Sequence, residues 1–265
     1  MPLKFFDDVT DPSLAAFVGA RTVGVLPVAA TEPHGPHLPT TTDCDIARGH
    51  LASLRNYLPP DLSVAILPLQ EVGYSIEHAA FPGLRNREPE ELLADWGEIA
   101  ADFHRVGGRR LVIVSSHGGN SPVVDILIRR LRVRLAMLAI GTAWMRFGQP
   151  EGLFDNLELQ IGIHGGDIET SLMLHYAPEK VRTERWQKFT EFAPTNTEVT
   201  PFGPHRFGWM SQDLNPYGVV GNAAAATAEK GAASARQALE GFAKLLTEAA
   251  AFDLELLRPA GEIDG

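Results

Sequence analysis

Four apolar runs restrict what this chain can fold into. Val23–Val28 (Val-Gly-Val-Leu-Pro-Val), residues 63–69 (Ser-Val-Ala-Ile-Leu-Pro-Leu), Arg110–Ser115 and residues 136–145 are close to continuous in hydrophobicity rather than alternating. Strands buried on both faces read this way, whereas a strand with one wet face alternates apolar and polar residues. The stretches between them are helical in spacing. Residues 43–58 place Ile46, Ala47, Leu51, Leu54 and Leu58 on one side and stop at Pro59-Pro60. Residues 88–106 do the same with Leu92, Leu93, Trp96, Ile99, Ala100 and Phe103, with Pro89 in the first turn and Gly107-Gly108 just past the end. A further helix opens at Ser121-Pro122, with Ser121 as N-cap, and runs to about residue 134. A short one covers Asp167–Tyr176, stopped by Pro178, and a long Ala-rich one covers residues 223–252. Residues 180–215 are irregular. Buried strands alternating with helices predict an α/β fold, a three-layer α/β/α sandwich around a mostly parallel sheet. The 265 residues contain no linker, repeat or low-complexity segment, so one domain over residues 1–265 is expected.

Charge narrows the partners. The net charge is -10, and the densest basic run, Arg129-Arg130-Leu131-Arg132-Val133-Arg134, reads as the solvated face of a helix. Neither nucleic acid nor an anionic membrane is expected as a partner. Cys44 is the single cysteine, which excludes an intrachain disulfide and fits a reducing compartment. The N-terminus lacks a signal-peptide core, and no run approaches the roughly 20 apolar residues of a membrane span. A cytoplasmic location is the expectation.

The chemistry-bearing residues fall in three clusters. In a parallel sheet the ligand site lies beyond the carboxyl ends of the strands. The first apolar run leads into Glu32-Pro33-His34-Gly35-Pro36-His37-Leu38-Pro39 and then Asp43, a stiff loop carrying carboxylate and imidazole ligands together. The run Arg110–Ser115 leads into Ser116-His117-Gly118-Gly119-Asn120; His117 taken alone reads equally well as a buried, loop-ordering histidine. The third cluster is His164-Gly165-Gly166-Asp167-Ile168-Glu169-Thr170-Ser171. Taken alone, Asp167 and Glu169 are acidic residues favourable to a helix dipole, and His164 fits a mobile loop as well as a site. Together, two histidines, two glutamates and one aspartate form a set suited to a pair of first-row divalent ions, with Asp43 the candidate bridge. The expected chemistry is hydrolysis, in which a metal-bridged hydroxide attacks a carbonyl carbon and His164 protonates the leaving nitrogen.

These clusters resemble the creatininase (creatinine amidohydrolase) family. The family's Glu-x-His-Gly-Pro-His-Leu-Pro and following Asp match Glu32 to Pro39 and Asp43. Its x-His-Gly-Gly-Asn segment matches Ser116 to Asn120, and its His-x-Gly-x-x-Glu-Thr-Ser segment matches His164 to Ser171. Glu77-His78-Ala79-Ala80-Phe81-Pro82-Gly83 agrees as well. The resemblance implies a three-layer sandwich and a homo-oligomer, often a hexamer. It also implies two divalent ions, Zn with Mn or Fe as alternatives, held by Glu32, His34, Asp43, His117 and Glu169. His164 matches the catalytic histidine, and His78, Gly118, Gly119 and Asp167 are assigned to substrate binding.

The departures bear on the substrate. Creatininases carry a Tyr-Glu pair after the second cluster's histidine, the Glu being a metal ligand; here those places hold Gly118 and Gly119, so Glu169 is expected to supply the missing carboxylate. The expected activity is hydrolysis of a C–N amide bond in a small molecule, a cyclic amide such as creatinine or a related amide. The alternatives are a formamide deformylase or a short-peptide peptidase of cofactor biosynthesis. A non-catalytic binding protein would have lost one or more ligands, and none is lost.

Overall fold

In the computed structural model, which describes residues 3–189, 198–201 and 205–258, five strands form one parallel sheet. They are β1 (Leu3–Phe5), β2 (Val23–Val28), β3 (Val64–Ile66), β4 (Arg110–Ser115) and β5 (Leu138–Ala143), in the order β1-β3-β2-β4-β5. The helices are α1 (Pro12–Phe17), α2 (Thr42–Leu54), α3 (Pro89–Arg105), α4 (Ser121–Leu135), α5 (Asn156–Ile161), α6 (Asp167–Tyr176), α7 (Ser211–Leu214) and α8 (Ala228–Ala251). Among the described residues no helix is long and apolar enough to cross a membrane.

Side-chain alternation divides the strands between two cores. Val23, Val25, Val64, Ile66, Val112 and Val114 pack with Leu51 and Leu54 of α2 and Leu239, Phe242 and Leu246 of α8. Leu26, Val28, Ala65, Leu67, Leu111 and Ile113 pack with Leu92, Trp96 and Phe103 of α3 and Val124, Leu127 and Leu131 of α4. The expected α/β/α layering is therefore present. Because both faces are covered, the strands have no polar face, which is why they read as unbroken apolar runs.

The topology places the site. β2 and β4 run in register from Val23 opposite Arg110 to Val28 opposite Ser115, so both strands end level. From β2 the chain crosses to β3 on one side and later reaches β4 on the other. The switch in direction lies between β2 and β4, where the loops leave a crevice.

Element boundaries differ from the sequence expectation for local reasons. The apolar spacing over 43–58 outlasts α2 because the chain tightens into i→i−3 turns, Asn56 N–H to Ser53 O and Tyr57 N–H to Leu54 O. β3 stops short of residue 69: Leu67 N–H still bonds Val25 O, but Pro68 has no N–H to continue the ladder. Ser121 is the first helical residue rather than the cap, which is Asn120. The strand expected over 136–145 loses its start to Ala136, left-handed at φ 51°, and its end to the turn Trp144–Phe147. The last helix begins at Ala228, where Thr227 Oγ1 accepts the Lys230 N–H at 3.2 Å; Ala223–Ala225 before it is a separate turn. β1, α1 and α5 are too short to carry a periodic signal. The irregular stretch over 180–215 includes residues 190–197 and 202–204, which lie outside the described residues.

Phe103 is fully buried, its ring against the backbone of Gly24 and Gly108. Phe103→Ala should cost about 3–5 kcal/mol in denaturant unfolding, while Ile126→Ala on the exposed side of α4 should stay within about 0.5 kcal/mol. Equal losses at the two positions would contradict this placement of the core.

Candidate metal centre

β2 leads through Ala29-Ala30-Thr31 into Glu32 and His34. Glu32 N–H bonds Thr40 O at 3.0 Å, closing the proline-rich loop so that Asp43 returns in the first turn of α2. β4 ends at Ser115, whose Oγ accepts the His117 N–H at 3.1 Å and donates to His117 O at 2.7 Å, fixing that loop's exit. Asn120 is fully buried and joins three segments: its Nδ2 donates to Ala29 O at 3.1 Å, and its Oδ1 accepts the Tyr74 N–H at 3.0 Å. α6 brings Glu169, with His164 just before it.

The sequence-assigned residues converge. His117 Nδ1 lies 3.0 Å from Glu32 Oε1 and 3.6 Å from Asp43 Oδ2. His34 Nε2 lies 3.4 Å from Asp43 Oδ1, 3.7 Å from Glu169 Oε2 and 3.9 Å from Glu32 Oε1. His164 Nδ1 is 3.6 Å from Glu32 Oε1. One donor atom from each of Glu32, Asp43 and His117 falls within 4.8 Å of the others, and the same holds for His34, Asp43 and Glu169. Asp43 belongs to both, and Glu32, His34 and His164 form a third such group, so Glu32 and His34 are each shared as well. Four donor atoms of this cluster, Glu32 Oε1 and Oε2, His34 Nε2 and Asp43 Oδ2, are buried without a hydrogen-bond partner. Buried polar atoms are ordinarily paired, so an unpaired convergent set of carboxylate and imidazole donors fits divalent cations.

Each imidazole is oriented by a backbone carbonyl. His34 Nδ1 faces Glu32 O at 3.0 Å, His117 Nε2 faces Tyr74 O at 2.9 Å, and His164 Nε2 faces Pro33 O at 2.7 Å. A carbonyl only accepts, so in each neutral ring the outward nitrogen carries the hydrogen and the inward nitrogen presents a lone pair. Ligand geometry is thus fixed from behind.

The electrostatics agree. Burial alone would depress His34, but the nearby carboxylate of Asp43, 3.4 Å away, with the charges of Glu169 and Glu32, lifts it to about 10. Burial likewise opposes the charge on His117, and Glu32 first, then Asp43 and Glu77, raise it to about 10. Burial raises Glu169 to about 7, with Asp43 and Glu32 adding to the rise against the lowering effect of His34. Burial also raises Glu32. His164 and His78 go the other way. Burial, reinforced by nearby His34, holds His164 well below its ordinary value and His78 at about 3.

The four substrate-assigned residues divide. His78 lies against the cluster, its Nε2 3.6 Å from Glu32 Oε2 and its ring 4.2 Å from that of His164. A Cβ on Gly118, which is exposed, would meet nothing within 4 Å, so that position is open. Gly119 is a packing residue instead: a Cβ would fall 2.4 Å from His117 Nε2 and 2.5 Å from Tyr74 O. A glutamate does not fit at 119 in this backbone, which agrees with Glu169 standing near His34. Asp167 is engaged elsewhere, bonded to Lys230 Nζ at 2.5 Å and to Ser171 Oγ at 3.0 Å, because its helix turns it toward α8. Two residues without an assigned role also adjoin the site: His37, whose Nε2 lies 3.1 Å from Gly165 O and 3.0 Å from Thr170 Oγ1, and Glu77, whose Oε1 lies 3.6 Å from His117 Nε2. His37 stood inside a recognised motif, which was the available signal; its structural role depends on the partner it meets from far along the chain.

In chelated protein the raised groups give a signed pH dependence. Their folded forms bind extra protons, so the stability they contribute is present below pH 6.5 and is lost as pH rises toward about 10. The melting temperature of the metal-free protein should therefore fall across that window, and saturating divalent cation should flatten the curve. A flat metal-free curve would contradict this charge balance.

Comparison with known proteins agrees with the geometry. The creatininase (creatinine amidohydrolase) family model matches residues 7–246. A mycofactocin precursor peptide peptidase from Mycobacterium tuberculosis is 34% identical over 62% of this chain and 62% of its own length, so that match spans somewhat less than two thirds of the relative. A creatinine amidohydrolase from Pseudomonas putida is 25% identical over 84% of this chain and 88% of its own. A solved creatininase carrying a Trp-to-Phe substitution superposes with a TM-score of 0.74 at 25% identity, covering 92% of this chain and 98% of that one. Creatininase structures described with Mn and as a Zn-Zn type share the fold at 23% identity. With the family model matched over nearly the whole length, the chain belongs to the creatininase family.

Proposed function

We propose that this protein is a metal-dependent amidohydrolase whose substrate is an extended amide at the end of a short peptide rather than creatinine. The observation that carries the metal-dependent reading is Asp43, shared by two donor groups whose remaining members are Glu32 and His117 on one side and His34 and Glu169 on the other. Bound there, two divalent ions supply Lewis acidity for the amide carbonyl and lower the pKa of the attacking water.

The chain's own residues handle the proton. His164 Nε2–H is committed to Pro33 O, so Nδ1, facing Glu32, is the basic atom. With its pKa held low by burial, the ring starts neutral. Nδ1 takes a proton from water as the C–O bond forms and returns it to the amide nitrogen as the C–N bond breaks. The products are a carboxylic acid and an amine, which at neutral pH exchange the remaining proton to become a carboxylate and an ammonium. His164 is then base first and acid second, a sharper role than proton donor alone. Glu169 retains 23% side-chain exposure, against 1–2% for Glu32 and Asp43, so the substrate approaches from its side.

One observation favours an extended substrate: the position at Gly118 is open, where creatininases carry a tyrosine. The peptidase named for the 34%-identical relative fits the same reading.

Short peptides, creatinine and N-formyl aminopyrimidines, assayed with added Zn, Mn or Fe, test the substrate. Peptide cleavage is expected, and turnover of creatinine alone would overturn the peptide assignment. His164→Ala should lower kcat by about 10²–10⁴ without changing metal content. Asp43→Asn should lose both ions and Glu169→Gln one, by elemental analysis; two ions retained in Glu169→Gln would place the second site elsewhere.

A further inference from the structure

We propose that Glu158, on α5 and outside the metal cluster, is the positioning residue that sets His164 and Glu169 against Asp43. α6 follows directly on His164-Gly165-Gly166, and its cap position is Gly166, which has no side chain to satisfy the first amides of the helix. Glu158 does so from another element. Its buried carboxylate accepts the Asp167 N–H at 2.7 Å and the Ile168 N–H at 3.4 Å through Oε1, and the Asn222 N–H at 2.8 Å through Oε2.

One carboxylate thereby joins two segments of the site. Asn222 closes the segment that pairs with His164: His164 N–H bonds Val220 O at 3.4 Å, and Val220 N–H bonds His164 O at 2.8 Å. Gly165 N–H in turn bonds Glu169 Oε2 at 2.6 Å, so the backbone beside His164 and the Glu169 carboxylate are mechanically linked. The surroundings are shaped to this group. A Cβ on Gly166 would lie 2.2 Å from Glu158 Oε1, one on Gly221 3.0 Å from both oxygens, and one on Gly162 2.3 Å from Cδ. Gly221 also has φ +151°, which disfavours any side chain. A carboxylate at a helix N-terminus is favourable in itself, but a simple cap needs only α6. Reaching Asn222 with the second oxygen adds the contact that fixes His164.

The effect on metal binding rests on the two-ion reading above, whereas the effect on the backbone does not. In Glu158→Gln one oxygen is replaced by an NH₂ that cannot accept. In metal-free protein the amides left facing the NH₂, either Asp167 and Ile168 or Asn222, should then exchange about tenfold faster or more, with β4 amides unchanged. On loading, the ion of His34, Asp43 and Glu169 should bind about 10–100-fold more weakly while that of Glu32, Asp43 and His117 is unaffected, and kcat should fall with KM retained. Glu158→Asp keeps both oxygens on a shorter arm and should recover part of each loss; it is also the variant to read if the glutamine protein does not fold. Unchanged exchange at the three amides would overturn the proposal. So would faster exchange with both ions weakened alike or neither weakened, since Glu158 would then be a stability cap alone. Wild-type protein that fails to bind two ions would sink the two-ion reading, leaving the exchange result to decide the positioning role.

Discussion

The structure turns on the burial of like charges. Glu32, Asp43 and Glu169 bring three carboxylates into one crevice, two of them almost without solvent. In a low-dielectric interior such a group persists only with compensating positive charge. Without metal the compensation comes from protons on His34 and His117, which is why both imidazoles are held so far above their ordinary value. A pair of divalent ions would replace those protons on the same atoms. The orphaned donor atoms and the displaced imidazole pKa values are two expressions of one fact: acidic and imidazole groups share a buried space with too few partners.

Holding that cluster requires little specialised machinery because the sheet does most of the work. β2 and β4 end level, so Glu32, His34 and His117 emerge side by side at the switch in strand order. Asn120 keeps the two exits together with the Tyr74 loop. Three backbone carbonyls then choose which nitrogen of each imidazole faces inward. The components that come from far along the chain, His164 and Glu169, lack a strand end to hold them. Glu158 and the segment through Asn222 supply that constraint from the opposite side.

Much of this was legible in the residues, and what was not has a physical explanation. Runs such as Val23–Val28 and Arg110–Ser115 mark buried parallel strands because both faces of the sheet are covered, and both matched to the residue. Boundaries failed where a local event outweighed periodicity, as with Pro68 ending β3 or the left-handed Ala136 delaying the start of β5. β1 and α5 were missed because elements of three and six residues carry too few apolar positions to show a period. The candidate ligands were found because carboxylate and imidazole at strand ends is an unusual composition. Asp167 was assigned to substrate binding beside Glu169, yet a helix turns residues two apart to different sides, and Asp167 meets Lys230. Glu158 gave no signal, being one acidic residue in a short helix.

The sequence by itself determined the fold class, the longer strands and helices, and the set of candidate cation ligands, because hydrophobic periodicity and ligand chemistry are local properties of the chain. Only the tertiary structure decided that Asp43 is common to two donor groups, that Gly118 opens on space while Gly119 is packed shut, and that His164 presents Nδ1 rather than Nε2. Those outcomes depend on which backbone atoms arrive from distant segments: the Tyr74 carbonyl behind His117, the Pro33 carbonyl behind His164 and the Asn222 amide on Glu158. Such contacts are fixed by packing across the sheet, and no spacing along the chain encodes them.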